Sequence, residues 1–298
     1  MTDPRGGDAT EFIIAPVPLD PRLTRAVEGL DQTGARIETK VPMERPLTLY
    51  LNGQEIVTVM TIGDHPAWLA RGYMLNQNML RADDIITAID VDDELDVVVV
   101  RTERRTNFED KLKKKTLTSG CAQGTAFGDV MERFADIRLE TAARMRTSWM
   151  ITLARKINNQ PSLYLEAGAI HGCVLCAEDR PLVYMEDVGR HNAIDKIAGY
   201  MHATGLSAAG KSLYTTGRLT SEMVIKTVQM QIPVLISRSG FTASGVELAR
   251  QAGLTLIGRA KGRRFTVLSG AERMIFDAEL PAGRDLPDRG RLRRGEDE

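Results

Sequence analysis

Ser212-Leu-Tyr-Thr-Thr-Gly-Arg-Leu-Thr-Ser-Glu-Met-Val-Ile-Lys-Thr-Val-Gln229 runs on through Met230-Gln-Ile-Pro-Val-Leu-Ile-Ser237, and its reading decides the fold. The apolar runs Ser212 to Thr215 and Val234 to Ser237 predict strands, and Ser221 to Gln229 between them has helical spacing. Working outward, Asp195 to Thr204 and Gly245 to Gln251 predict helices, and Thr255 to Gly258 a further strand. Strands alternating with helices of about ten residues predict a largely parallel sheet with helices on its faces. Such sheets bind ligands at the carboxyl ends of their strands.

Upstream, Phe127 to Ile137 and Leu139 to Ile157 predict helices, while Ser162 to Glu166, His171 to Ala177 and Leu182 to Met185 predict strands. Thr116-Leu-Thr-Ser-Gly-Cys-Ala-Gln-Gly124 is rich in small residues and reads as a loop. Nearer the N-terminus, Leu47 to Leu51, Asn52-Gly53 and Glu55 to Met60 predict a β-hairpin, because Asn-Gly tolerates the positive φ of a tight turn. A helix follows through Trp68, Tyr73 and Leu75, with Asp64 placed to cap it and Pro66 in its first turn. Ile85 to Val91 and Leu95 to Arg101 predict a second strand pair.

This divides the chain into a small α+β domain over 41–115 and an α/β domain over 116–278. Flexible tails are expected at 1–40 and 279–298. The length of 298 residues suits two domains, and 43% hydrophobic with 27% charged residues gives an ordinary globular balance. A net charge of −1 offers no global field for nucleic acid or an acidic membrane. No apolar run reaches the roughly 20 residues of a bilayer span, and the N-terminus lacks a secretory pattern, so a cytoplasmic protein is expected.

The chain has three cysteines, Cys121, Cys173 and Cys176. Cys121 lies among glycines shortly before a predicted helix and after Lys111, Lys113, Lys114 and Lys115. That setting favours the thiolate, the nucleophilic form; the alternative is a small apolar residue tucked under a loop. Cys173 and Cys176 spell Cys-x-x-Cys, but on a strand an offset of three puts them on opposite faces, which predicts core packing. A zinc site would need further ligands, and no second cysteine pair exists, so no metal is expected.

Glu186-Asp-Val-Gly-Arg-His-Asn192 follows an apolar strand and precedes a helix. Arg190 can fork onto phosphate, Asn192 offers donor and acceptor, and His191 can move a proton. The alternative is that Asp187 and Asn192 cap the helix and Arg190 pairs with an acid. Two more strand ends, Thr215-Thr-Gly217-Arg218 and Ser237-Arg-Ser239-Gly240, present hydroxyls and backbone N–H groups suited to an anion. Arg259-Ala260-Lys261-Gly262-Arg263-Arg264 adds four cations in six residues. Together they predict a large phosphorylated ligand; capping and a solvated charge run are the alternatives.

In order along the chain, the hairpin from Arg45, Ser119-Gly-Cys121, His171, Glu186-Asp-Val-Gly-Arg-His-Asn-Ala193, Thr216-Gly-Arg218, Ser221-Glu-Met-Val224 and Leu256-Ile-Gly258 resemble the FdhD/NarQ family, over about Met43 to Val267. Members are sulfur carriers required for formate dehydrogenase activity. The resemblance implies a three-layer, cytidine-deaminase-like α/β C-terminal domain without zinc beside a smaller α+β N-terminal domain, often in a homodimer. It implies that Cys121 takes a persulfide sulfur from a cysteine desulfurase. It further implies transfer of that sulfur to the molybdenum of bis-molybdopterin guanine dinucleotide, held in part by Arg259 to Arg264, before insertion into the formate dehydrogenase catalytic subunit. A chaperone that binds the guanine nucleotide or the cofactor without moving sulfur remains the alternative. Many members have Cys-x-x-Cys in the loop where this chain has Gly124 as the second position. Phe241 stands where proline is common, and Arg259 where an aromatic is common.

Overall fold

The computed structural model describes residues 12–81, 83–104, 116–118, 121–125 and 127–278. Strands β1 (Thr24–Leu30) and β2 (Arg36–Pro42) form an antiparallel hairpin. The expectation of a structureless tail up to Thr39 is corrected here. Asp31 Oδ1 accepts the N–H groups of Thr33 and Ala35, and Gly34 takes a positive φ, so a short turn closes a hairpin whose side chains are mostly exposed. Residues 1–11 and 279–298, where the rest of the expected tails falls, lie outside the described residues, as does the expected domain boundary near Lys115.

β3 (Arg45–Leu51) and β4 (Gln54–Thr61) make the expected hairpin, with Asn52 at φ 55° in its turn. β5 (Ile86–Asp92) and β6 (Val97–Thr102) complete a four-stranded sheet ordered β4-β3-β6-β5. Helix α1 (Pro66–Asn76) covers it, burying Leu69, Tyr73 and Met74 against Leu49, Val98 and Val100. Asp64 does not cap α1: His65 is the N-cap, without a side-chain cap, and Asp64 instead accepts a hydrogen bond from Lys196.

β7 (Thr116–Thr118) and β8 (Cys121–Thr125) pair antiparallel, so the expected loop is a short hairpin. α2 (Phe127–Asp136) follows. The predicted helix from Leu139 is shorter than expected: β9 (Met145–Arg146) precedes α3 (Thr147–Asn159). Ser162 to Glu166 is no strand; Ser162 caps α4 (Leu163–Ala167), accepting the Leu165 N–H, which a five-residue apolar run cannot reveal by periodicity.

Strands β10 (His171–Ala177), β11 (Arg180–Asp187), β12 (Lys211–Thr215), β13 (Val234–Ser237), β14 (Thr255–Lys261) and β15 (Arg264–Ser269) form one sheet, ordered β11-β10-β12-β13-β14-β15. Only β12/β13 and β13/β14 are parallel, so the sheet is mixed rather than largely parallel. β16 (Met274–Ile275) pairs with β9. Helices α5 (Arg190–Thr204), α6 (Ser221–Gln229) and α7 (Ala243–Gln251) pack on one face, through Ile194, Val224 and Ala249 against Leu175, Leu213 and Leu235. On the other face α3 packs Met150, Leu153 and Ile157 against Tyr214, Ile236 and Ile257. No helix among the described residues is long and apolar enough to cross a membrane.

The four-stranded and six-stranded units meet where α1 crosses α5. A Cβ on Gly72 would collide with the Asp195 carbonyl, and one on Gly199 with the Trp68 carbonyl, so the two backbones touch. Gly199→Ala is expected to lower unfolding stability by about 1–3 kcal/mol, since neither backbone can yield without shifting a packed helix. A reduced denaturant midpoint at unchanged slope is the expected reading; an unaltered midpoint counts against this contact.

Candidate functional site

Antiparallel pairing sets His171 at the start of β10 beside Asp187 at the end of β11, and Cys173 beside Thr215 at the end of β12. The loops after β12 and β13 and the C-terminal half of β14 lie at the same edge of the sheet. They are stitched together: Thr216 N–H donates to Gly172 O (2.9 Å), Arg238 N–H to Thr215 O (3.3 Å) and Arg259 N–H to Ser239 O (2.9 Å). Ser237 Oγ donates to Gly217 O (2.6 Å) and accepts from Ser239 N–H (2.9 Å). The structure therefore gathers Arg190, Gly217, Arg218, Ser237, Ser239 and Arg259 along one edge. The buried Ser237 hydroxyl is spent on holding the loops.

Arg190 is the first residue of α5, which begins five residues earlier than expected. Its side chain lies over Gly217, where a Cβ would come within 2.6 Å of Arg190 Cδ, so glycine is required there. Nε and Nη2 of Arg190 are buried and have no hydrogen-bond acceptor among the described residues. Burial and the neighbouring Arg218 charge both act against the Arg190 cation. Two unmatched guanidinium donors beside a second arginine favour an anion.

His191, 8% exposed, brings Nε2 to 3.4 Å from Glu222 Oε2 on α6. Burial, then Lys226, Arg190 and His171, pull its pKa down to about 2. The imidazole is neutral, so this contact is no ion pair. His171, which sequence reading left out of the site, also lies at this edge, with Nδ1 3.4 Å from Thr216 Oγ1. Burial, then Arg190 and Arg218, depress its pKa as well.

Asn192 has another task. Its Nδ2 donates to Met60 O (2.7 Å) and to Asp187 Oδ1 (3.0 Å), so only its carbonyl remains for a ligand. Asp187 Oδ2 also accepts from Thr61 Oγ1 (2.5 Å) and Lys196 Nζ (2.5 Å). The Asp187 and Asn192 pair thus braces β4 of the small sheet against the head of α5. No side chain caps that helix; Gly189 is its N-cap.

The basic run, expected to follow directly after the strand Thr255 to Gly258, instead spans the β14–β15 hairpin. Ala260 is buried in the face covered by α3, Gly262 turns at φ 59°, and Lys261, Arg263 and Arg264 are exposed at the tip. Arg259 is exposed at φ 55°, with its guanidinium 5.1 Å from the Phe241 ring centre. Among the described residues no hydrogen bond or ion pair ties the tip cations to Arg190.

For Cys121 the structure describes the backbone alone: it opens β8 opposite Thr118. Lys111, Lys113, Lys114 and Lys115 lie outside the described residues. Cys173 and Cys176 are fully buried on opposite faces of β10, as expected; burial pushes the Cys173 thiol up to about 12 and Cys176 higher still. No cluster of three or more metal-ligating side chains occurs among the described residues.

The FdhD/NarQ family model matches residues 42–275. The chain is 29% identical over 248 residues to a sulfur carrier protein FdhD of Wolinella succinogenes, covering 82% of this chain and 85% of that one. It is 27% identical over 245 residues to the protein of the same name from Listeria innocua, covering 81% and 94%. A crystal structure from Desulfotalea psychrophila, provisionally named a formate dehydrogenase accessory protein, superposes with a TM-score of 0.68 at 25% identity, covering 85% of this chain and 99% of that one. The match spans both sheets and every strand-end loop just described, and the chain belongs to the FdhD/NarQ family.

Proposed function

We propose that this chain is a sulfur carrier that loads Cys121 from a cysteine desulfurase and passes the sulfur to a bis-molybdopterin guanine dinucleotide substrate during formate dehydrogenase maturation. The names of its relatives and the order of the motifs support the reading. The observation that carries it is the Arg190 guanidinium, buried beside Gly217 with two donors unmatched among the described residues. A diphosphate oxygen supplies the missing acceptor, and Arg218 adds a second cation.

The chemistry balances with one sulfur anchor. The Cys121 thiolate attacks the outer sulfur of the desulfurase persulfide; an S–S bond forms on Cys121, and the donor leaves as a cysteine thiolate. Release of the outer sulfur as sulfide takes two electrons from a thiol reductant and returns Cys121 to its thiolate. Gly124 in place of a second cysteine excludes a disulfide within the loop and leaves this exchange intact. The carrier would act as a homodimer between desulfurase and formate dehydrogenase.

Incubation with a desulfurase and cysteine is expected to add one sulfur's mass to the peptide containing Cys121, removable by dithiothreitol. An unmodified Cys121 peptide would instead support a chaperone that only binds cofactor. For the nucleotide end, Arg190→Ala is expected to weaken guanosine diphosphate binding by about 1.5–3 kcal/mol, the range for a hydrogen bond to a charged group. Calorimetric titration checks this, and an unchanged affinity would remove Arg190 from the site.

A further inference from the structure

A cavity of about 450 Å³ lies on the face of β11 away from α5, a size typical of small-ligand sites. Its roof is the segment Ala15-Pro-Val17, pinned to β11 by Ile13 N–H to Leu182 O (2.7 Å) and Tyr184 N–H to Ile14 O (3.0 Å). Leu23, Ile62 and Leu163 give it apolar walls. The strand-end loops do not line it.

Its charges are unequally matched. Asp20 is clamped by Arg22 (2.7 Å), Arg45 lies 3.5 Å from Asp96, and Asp64 is held by Lys196. Glu186 is different. Only 2% exposed, it accepts the N–H groups of Leu163 (2.8 Å) and Tyr164 (3.3 Å), and no cationic side chain among the described residues pairs with it. Lys196 spends its donors on Asp64, Asp187 and the Glu186 carbonyl. A buried carboxylate at a chamber with apolar walls, whose lining cations Arg22 and Arg45 are already paired, lacks a counter-charge, and a cation small enough to enter provides one. Asp93 at the lining adds a second negative group.

We propose that this cavity is a second ligand site, distinct from the strand-end site, and that it takes a small protonated amine with an apolar body, its ammonium paired with Glu186. Burial pushes the Glu186 carboxyl up to about 7, so amine binding couples to its ionisation. The groups facing it are Asp64 and Lys196, already paired, with Tyr184, His65 and Arg45. Burial lowers the His65 pKa, and it raises that of Tyr184 further above neutrality, so Tyr184 stays neutral between pH 6 and 8.

Cyclohexylamine is the probe, titrated calorimetrically into the full chain, with cyclohexanol as the uncharged control. Saturable amine binding is expected at about pH 8, with the alcohol roughly ten-fold weaker. Amine affinity is expected to fall roughly ten-fold at about pH 6, where the free carboxyl holds a proton that binding must displace. Glu186→Gln should erase the preference for amine over alcohol. Val17→Trp, which fills the chamber from its exposed roof, should abolish binding of both and decides the matter should Glu186→Gln fail to fold by circular dichroism. Equal affinity for amine and alcohol, no saturable amine binding, or undiminished binding in Val17→Trp overturns the site. None of these outcomes bears on sulfur loading at Cys121.

Discussion

Cys121→Ala is expected to reduce formate dehydrogenase activation to background in a strain lacking its own accessory factor. Cys121→Ser should be equally inactive, because a hydroxyl forms no S–S bond with the donor. The other two thiols offer no substitute: both are buried, and a thiol at about 12 or above holds almost no thiolate near neutrality. Guanosine diphosphate affinity should stay within about two-fold of the parent, as expected of a site that does not share its contacts with position 121. Undiminished activation by either variant would end the carrier model; a parallel collapse of nucleotide affinity would mean that Cys121 is part of the nucleotide pocket.

The second large effect concerns stability. Lys196 is 0% exposed, and its Nζ donates to Asp64, to Asp187 Oδ2 (2.5 Å) and to Glu186 O (2.9 Å). Lys196→Met leaves Asp187, itself fully buried, without its counter-ion, and loss of one member of such a pair costs about 3–5 kcal/mol. Denaturant unfolding should show this loss, and Lys196→Met combined with Asp187→Asn should recover part of it, because the abandoned charge is then absent. Additive losses in the double variant would show that the pair is not coupled.

These two residues mark the limits of what could be read beforehand. Ser221 to Gln229 and Val234 to Ser237 match the observed elements residue for residue, because apolar runs of different period flank each other with clear breaks. The strand ends that gather the candidate residues were legible for the same reason. The hairpin from Thr24 to Pro42 was not: its strands face solvent and bury none of their residues, so no core-facing apolar stripe marks them. Leu139 to Arg146 is rich in helix formers, yet the helix waits until Thr147, whose hydroxyl bonds Asp277 Oδ1 (3.0 Å), a contact 130 residues away. Lys196 and Asp195 look like ordinary solvated charges on a helix, and only tertiary packing reveals that both are enclosed. Asn192 misled in the opposite sense, because its reach to Met60 O depends on where the small sheet sits.

The contact of Gly72 with Gly199 has a mechanical meaning. With no side chains to act as a cushion, a displacement of α1 is passed directly to α5, whose head is Arg190. The small sheet and the anion-seeking arginine are therefore two ends of one lever. Under the proposed function, a protein pressing on the outer sheet would shift the grip of Arg190 on the nucleotide, and a nucleotide seated there would stiffen the surface such a protein meets.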